Sequence, residues 1–171
     1  MTKAPSPSAI FQAKLAAGVI VWLVLLGLVW YGFSAEVRDR MGTQILARPG
    51  GPITFRFLLQ PAMAATAALR DGLADARAAR PAFLWSLARG RKVGRRLSEA
   101  LVATARIILL GVAMDAIYQA IVLHTFYPGE AAIVALMLAF LPYVLLRGPF
   151  ARIARMWAPP AAPGPTVGDG R

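Results

Sequence analysis

Apolar and polar positions fall into blocks whose lengths match a bilayer. From Leu15 to Phe33 the chain reads LAAGVIVWLVLLGLVWYGF, 19 residues without a charge. At 1.5 Å per residue this spans about 28 Å, against a hydrocarbon thickness of ~30 Å. Trp30 and Tyr31 sit near its end, where amphipathic rings favour the headgroup zone. The run is long for a signal-peptide core and no A-x-A site follows it, so it reads as a retained helix. A second block runs from Leu101 to Leu123 and contains Arg106 and Asp115. A third runs from Ala131 to Leu146, bounded by Pro128-Gly129 and by Arg147-Gly148-Pro149. Pro142 frees the Leu138 carbonyl, which predicts a kink. The short turn from His124 to Glu130 makes the last two helices antiparallel neighbours.

Residues 52–69, PITFRFLLQPAMAATAAL, are less apolar and carry Arg56, Gln60 and Pro61. On a helical wheel Leu58, Ala62, Ala65, Leu69 and Leu73 share one side, while Arg56, Gln60, Arg70 and Asp71 lie opposite. The pattern predicts an amphipathic helix reaching roughly Ala79, before Pro81. Such a helix either lies in the interface or crosses with its polar stripe against other helices. The fold class is therefore an all-α membrane protein: a small bundle of three strongly apolar spans plus one transmembrane or interfacial amphipathic helix of marginal hydropathy. The domain plan is a flexible N-terminus over 1–14, one helical membrane domain over 15–157, and a disordered Pro/Gly-rich tail over 158–171.

Composition agrees. The chain is 58% hydrophobic and 16% charged, where a soluble domain runs nearer a quarter charged. Its 19 Lys+Arg against 8 Asp+Glu leave a net charge of +11. Eight of the basic residues fall within 70–100 and four from Arg147 onward, but none falls between His124 and Glu130. The positive-inside rule places the 70–100 loop and the C-terminus in the cytoplasm and the turn outside. Lys3 and Lys14 on one flank of the first helix nearly balance Arg38, Arg40 and Arg48 on the other. An inside N-terminus requires four crossings, and the length of 52–69 favours that count. An outside N-terminus gives three, with 52–69 on the inner surface.

Candidate chemistry is sparse. The absence of Cys excludes thiolate metal sites and Cys nucleophiles, and one His makes a multi-histidine centre untenable. No metal and no cofactor is expected. Asp115, deep in an apolar helix, is costly unless it meets a partner or water. Thr104, Gly111, Tyr118 and Gln119 share its face, and Gln60 is a candidate partner from 52–69. This intramembrane polar cluster is either a proton- or ion-handling site or, as favoured here, a node pinning helices by interhelical hydrogen bonds. If 52–69 crosses, Arg56 is expected near the outer boundary, snorkelling to water; if the segment lies on the surface, Arg56 and Gln60 simply face water. Arg89, Arg91, Lys92, Arg95 and Arg96, preceded by Phe83-Leu84-Trp85, suit contact with anionic lipid, as do Arg152 and Arg155 after the last helix. Positive-inside flanks account for this charge, so nucleic acid is not an expected partner, and the glycines lack phosphate-loop spacing. The run Asp71-Gly72-Leu73-Ala74-Asp75-Ala76-Arg77 has its Arg one place too late for the membrane CDP-alcohol phosphotransferase opening, and no second Asp motif follows. Asp71 and Asp75 are expected to form solvated ion pairs with Arg70 and Arg77. Glu130, at a helix start, favours the positive end of the dipole.

The runs FRFLLQPAMAATAALRDGLADAR, MDAIYQAIVLHTFYPGEA and LPYVLLRGPFARIARMW resemble an uncharacterised family of small bacterial inner-membrane proteins. The resemblance implies a bacterial inner (plasma) membrane location and carries over no functional residue. The expected function is that of a non-enzymatic accessory, assembly or scaffolding subunit. Its partners would be the bilayer, anionic lipids, and other proteins or further copies of the chain. The alternative is an oligomeric proton, ion or small-solute transporter or channel component using Asp115.

Overall fold

The computed structural model describes residues 5–32, 34–50, 54–81, 83, 85, 89–90 and 93–157, and all regular structure among them is helical. Helix α1 is Pro7–Tyr31, α2 is Ala35–Ala47, α3 is Arg56–Arg77 and α4 is Val93–Tyr118. Helix α4 continues as a π turn over Gln119–Leu123. Helix α5, Pro128–Ala135, passes through a π segment at Leu136–Phe140 into α6, Leu141–Trp157. Three helical stretches are long and apolar enough to cross a membrane: Pro7–Tyr31, Val93–Leu123 and Pro128–Trp157.

Local chemistry sets several ends. Ser6 caps α1 by accepting from the Ala9 N–H at 3.2 Å, and Pro7 supplies a preset φ at the first position. The helix therefore begins eight residues before Leu15, and the expectation of a flexible 1–14 is corrected over Pro7–Lys14. At its other end Gly32 takes φ +68°, a conformation that favours glycine, and its N–H reaches the Leu28 carbonyl. Pro142 does not act alone. The five residues before Leu141 widen into π geometry, with the Leu141 N–H bonding Leu136, so the backbone strain is taken up ahead of the proline. The last helix also runs through Gly148-Pro149, where the sequence suggested a stop. Gly148 and Ala151 are buried there, and the backbone of Arg147 and Ala151 packs against Gly72 of α3, so tertiary contact overrides a local breaker.

Pairings along the bundle give the topology. Gln12 of α1 accepts from Arg106 of α4 at 2.8 Å, and Gly27 meets Gly129 at the start of α5. Arg56, first in α3, meets Asp115 near the end of α4, whereas Asp75 near the end of α3 lies beside Arg96 in the first turn of α4. Helices α1 and α4 thus run one way, and α3 and α5–α6 the other. The start of α1, the end of α3, the start of α4 and the end of α6 share one end of the bundle. The opposite end is closed by α2 and by the Tyr31 hydroxyl, which donates to the Phe126 carbonyl at 2.9 Å.

The centre is built from small residues. Ala13, Ala16, Ala64, Ala68, Ala100, Ala105, Ala135 and Ala139 are buried, with Ile107 and Ile108 filling between them. Small side chains let helix backbones approach closely, the usual packing where lipid removes a hydrophobic drive. The outside is apolar: Trp22, Leu25, Val29, Leu58, Ile117, Ile121, Leu145 and Ile153 are all exposed. Helices α1 and α5 approach closely, and a Cβ on Gly27 would lie 2.8 Å from the Gly129 nitrogen. Gly27→Val is expected to cost about 1–3 kcal/mol through overpacking, read as a lower melting temperature in detergent. Gly18→Ala, with nothing within 4 Å of its added methyl, should leave the melting temperature unchanged or raise it.

Candidate functional site

Helix α3 is amphipathic in the inverted sense. Arg56, Gln60 and Asp75 are fully buried, while Leu58 is 78% exposed and Leu59, Met63 and Leu69 also face outward. The polar stripe of this segment faces the neighbouring helices. Gly72 on the same face lets α6 come close, since a Cβ there would lie 3.0 Å from the Arg147 carbonyl oxygen. The stripe delivers charge to two places, one at each end of α3.

At the first, Arg56 Nη2 lies 2.8 Å from Asp115 Oδ1, both side chains shielded from solvent. Arg56 therefore does not snorkel to the boundary. The expectation fails because the counter-charge sits on α4 at the same level, and a paired buried guanidinium is cheaper than an isolated one. The Tyr118 and Phe57 rings stand 5.1 Å from the guanidinium carbon and add cation–π attraction. Asp115 Oδ2 accepts from Gln119 Nε2 at 2.7 Å. The same amide donates to the Tyr127 carbonyl at 3.2 Å and accepts from the Tyr127 N–H, so Gln119 ties the carboxylate to the turn. Gln60 packs beside this group but donates to Met114 Sδ at 3.7 Å rather than to Asp115. Thr104 stands apart, three turns below Asp115, and its hydroxyl donates to the Ala100 carbonyl at 2.8 Å. The structure thus gathers Asp115, Tyr118, Gln119 and Gln60, adds Arg56, and leaves Thr104 out.

At the second place, Arg147 Nε donates to Asp75 Oδ2 at 2.8 Å. Its Nη1 donates to the Tyr143 hydroxyl at 2.9 Å and its Nη2 reaches Glu99 at 3.4 Å. The Tyr143 hydroxyl in turn donates to Asp71. Arg80 and Arg96 approach Asp75 at 3.5 and 3.7 Å, and the Phe83 ring lies 4.6 Å from the Arg147 guanidinium carbon. Asp71 and Asp75 do not form solvated pairs with Arg70 and Arg77, because their helix face is buried against α6 and supplies a different arginine. Arg147 shows no cue in the sequence beyond a basic residue after an apolar run. Only the continuation of the helix through Gly148-Pro149 turns it inward.

The expected lipid-contact residues divide. Arg96 is 11% exposed and belongs to the Asp75–Glu99 network, so it is withdrawn from the surface set. Arg95 is 69% exposed and lies 3.5 Å from Glu99. Arg89 stacks 4.3 Å over the exposed Trp85 ring. Arg152 is exposed, and Arg155 is exposed but donates to the Arg80 carbonyl. Arg91 and Lys92 lie outside the described residues, as does the 158–171 tail. Glu130, at the third position of α5, is buried at the helix start. With its amide nitrogen facing the carboxylate, Gln44 donates to it at 2.8 and 3.0 Å, and Arg40 lies 3.9 Å away.

Between the two charged places lies a layer of Ala64, Ala68, Ala105, Ile108 and Ala139, all buried. Among the described residues, no group of three or more His, Cys, Asp and Glu side chains could hold a metal ion. Below the alanine layer, a cavity of about 560 Å³ opens between the end of α3 and the start of α4, lined by Asp71, Asp75, Arg80, Arg95, Glu99 and Arg147 among others. No family model, curated protein or solved structure matches the chain. The functional reading therefore stands on this geometry.

Removing one partner of a buried ion pair leaves an uncompensated charge, at a cost of about 3–5 kcal/mol. Asp115→Leu should lower the melting temperature and abundance accordingly. The double variant Arg56→Met with Asp115→Leu should recover most of the loss, since an apolar replacement of both partners is near neutral. Equal instability of single and double variants in a thermal melt would show that the pair does not hold the helices.

Proposed function

We propose that the chain is a four-crossing integral membrane protein of a bacterial inner membrane, serving as a non-enzymatic accessory, assembly or scaffolding subunit. One observation carries the reading: α3 buries Arg56, Gln60 and Asp75 and turns Leu58 outward. In water that arrangement is upside down, but in lipid it is the favoured one, because polar groups must find partners inside the bundle. At 22 residues α3 is about 33 Å long, enough to cross beside the three more apolar helices. With four crossings, the N-terminus, the 78–92 connection and the C-terminus share the cytoplasmic side, and α2 and the 124–127 turn face outward. That orientation agrees with the placement of basic residues.

The charges support a structural role over transport. Asp115 is held by Arg56 on one oxygen and Gln119 on the other, and Asp75 by Arg147. These contacts join α3 to α4 and α3 to α6, which is what a node between helices does. Apolar side chains separate the two places, so the arrangement favours holding helices over relaying a proton.

The wild-type chain has no Cys, so each introduced thiol reports alone. Ser6→Cys and Ala79→Cys should label only from the cytoplasmic side, and Thr43→Cys and Thr125→Cys only from outside. Labelling of Thr43→Cys from the cytoplasm would remove the fourth crossing. A stoichiometric partner captured in mild detergent would support the subunit role, and a partnerless monomer under crosslinking would count against it.

A further inference from the structure

We propose that the cavity between the end of α3 and the start of α4 binds a phosphoethanolamine group, a phosphate and a primary ammonium a few ångströms apart. The proposal rests on the membrane reading, which sets this end of the bundle at the headgroups of the inner leaflet. The cavity holds about 560 Å³ and is walled by both signs of charge. Asp71, Asp75 and Glu99 line it together with Arg80, Arg95 and Arg147, Asp75 and Glu99 lying within 2.8–3.5 Å of these arginines, and Ala74, Val102 and Ala103 supply apolar wall. A purely anionic ligand would meet three carboxylates, and a purely cationic one three guanidinium groups. A ligand carrying both charges meets each with its opposite.

The site has a built carboxylate. Asp75 is 1% exposed and lines the cavity, its Oδ2 taken by Arg147. Its Oδ1 accepts no hydrogen bond and has Arg80 Nη1 at 3.5 Å, beyond good donor distance. An ammonium can donate to this oxygen and displace Arg80, which then turns with Arg95 to the phosphate, where guanidinium groups bind oxygen pairs well. The exchange conserves charge: the ammonium replaces one guanidinium beside Asp75, and the phosphate receives the one released. Glu99, partly exposed beside Arg95, offers the ammonium a second acceptor. A primary ammonium has three N–H donors for these oxygens, and a quaternary choline has none.

The group can come from a phospholipid or from a free phosphoethanolamine, and one experiment separates them. Protein extracted from membranes in mild detergent is exposed to phosphatidylethanolamine, phosphatidylcholine or phosphatidylglycerol of the same acyl chains, and retained lipid is counted by native mass spectrometry. Phosphatidylethanolamine should be retained at least about tenfold over phosphatidylcholine, as expected for a hydrogen-bonded charge. Glu99→Gln and Arg80→Gln should each abolish the preference, while Arg152→Gln on the outer face should keep it. Displacement by millimolar soluble phosphoethanolamine would assign the free headgroup, and failure to displace would assign the lipid. Equal retention of the three lipids with no binding of soluble phosphoethanolamine, or a preference unmoved by both Glu99→Gln and Arg80→Gln, would overturn the site. Cysteine labelling reads insertion independently, so loss of the site and loss of the membrane reading are distinguishable.

Discussion

A charge removed from water must meet its opposite, and helix α3 is where this chain faces that constraint. It carries Arg56 at its first position and Asp71 and Asp75 towards its last turn. This is the wrong way round for the helix itself, because the dipole favours anions at the start and cations at the end. The placement makes sense only through the neighbours: Asp115 on α4 at one end and Arg147 on α6 at the other. The two pairs have opposite polarity, which fixes more than proximity. Inverting α3 would set Arg56 against Arg147 and Asp75 against Asp115, both repulsive and both buried. A slip of one residue would swing the stripe about 100° away from its partners. Orientation and register are therefore set by charge, and the alanines between serve to let the backbones close.

On the proposed membrane reading, lipid as solvent accounts for such an economy of bulk. The buried layer of Ala64, Ala68, Ala105, Ala135 and Ala139 removes little apolar area compared with a soluble core of leucines, and the large apolar residues lie outside. In water this would forfeit most of the hydrophobic driving force. In a bilayer the outer leucines and tryptophans lose nothing by exposure, and association relies on close packing and polar contacts. Gly27 against Gly129 and Gly72 against the Arg147 carbonyl are points of close packing. The charged pairs supply the polar contacts.

Much of this was legible in the chain because long apolar helices carry their pattern over many residues. The charge-free run from Leu15, the helix carrying Asp115 and the basic bias of 70–100 each announce themselves through length and composition. Asp115 stood out by its cost, and Gln119, four residues on, followed from the helical wheel. The partners were not legible, since which helix brings a counter-charge to a given depth depends on tertiary order. Arg56 looked like a boundary residue because its own segment is short of hydropathy, and Asp75 looked solvated because arginines flank it in sequence. Arg147 stayed hidden behind Gly148-Pro149, a local stop signal that packing against α3 overrides. Thr104 was assigned to the Asp115 face correctly by angle, but a wheel has no axial scale, and three turns separate the two.

The two ends of the bundle use the same chemistry to different effect. At the α2 end the two buried carboxylates each meet a basic or amide group: Asp115 meets Arg56 and Gln119, and Glu130 meets Gln44, with Arg40 stacked 3.9 Å over the Tyr127 ring. Gln119 sits at the start of a π turn, and the wider helix lets one amide serve both Asp115 and the backbone of Tyr127. At the opposite end, Arg80 and Arg96 approach Asp75 only at 3.5 and 3.7 Å, and Arg95 reaches Glu99 from a largely exposed position. Of these, the Arg95–Glu99 pair is the exposed one, and such a pair contributes little. The Asp75–Arg147 bond is the shortest ion pair in this network and gives it a centre. In the proposed membrane orientation, the Arg56–Asp115 pair with Gln119 falls at the outer end of the bundle, and the ion pairs of Asp75 and Glu99 gather at the basic, cytoplasmic end.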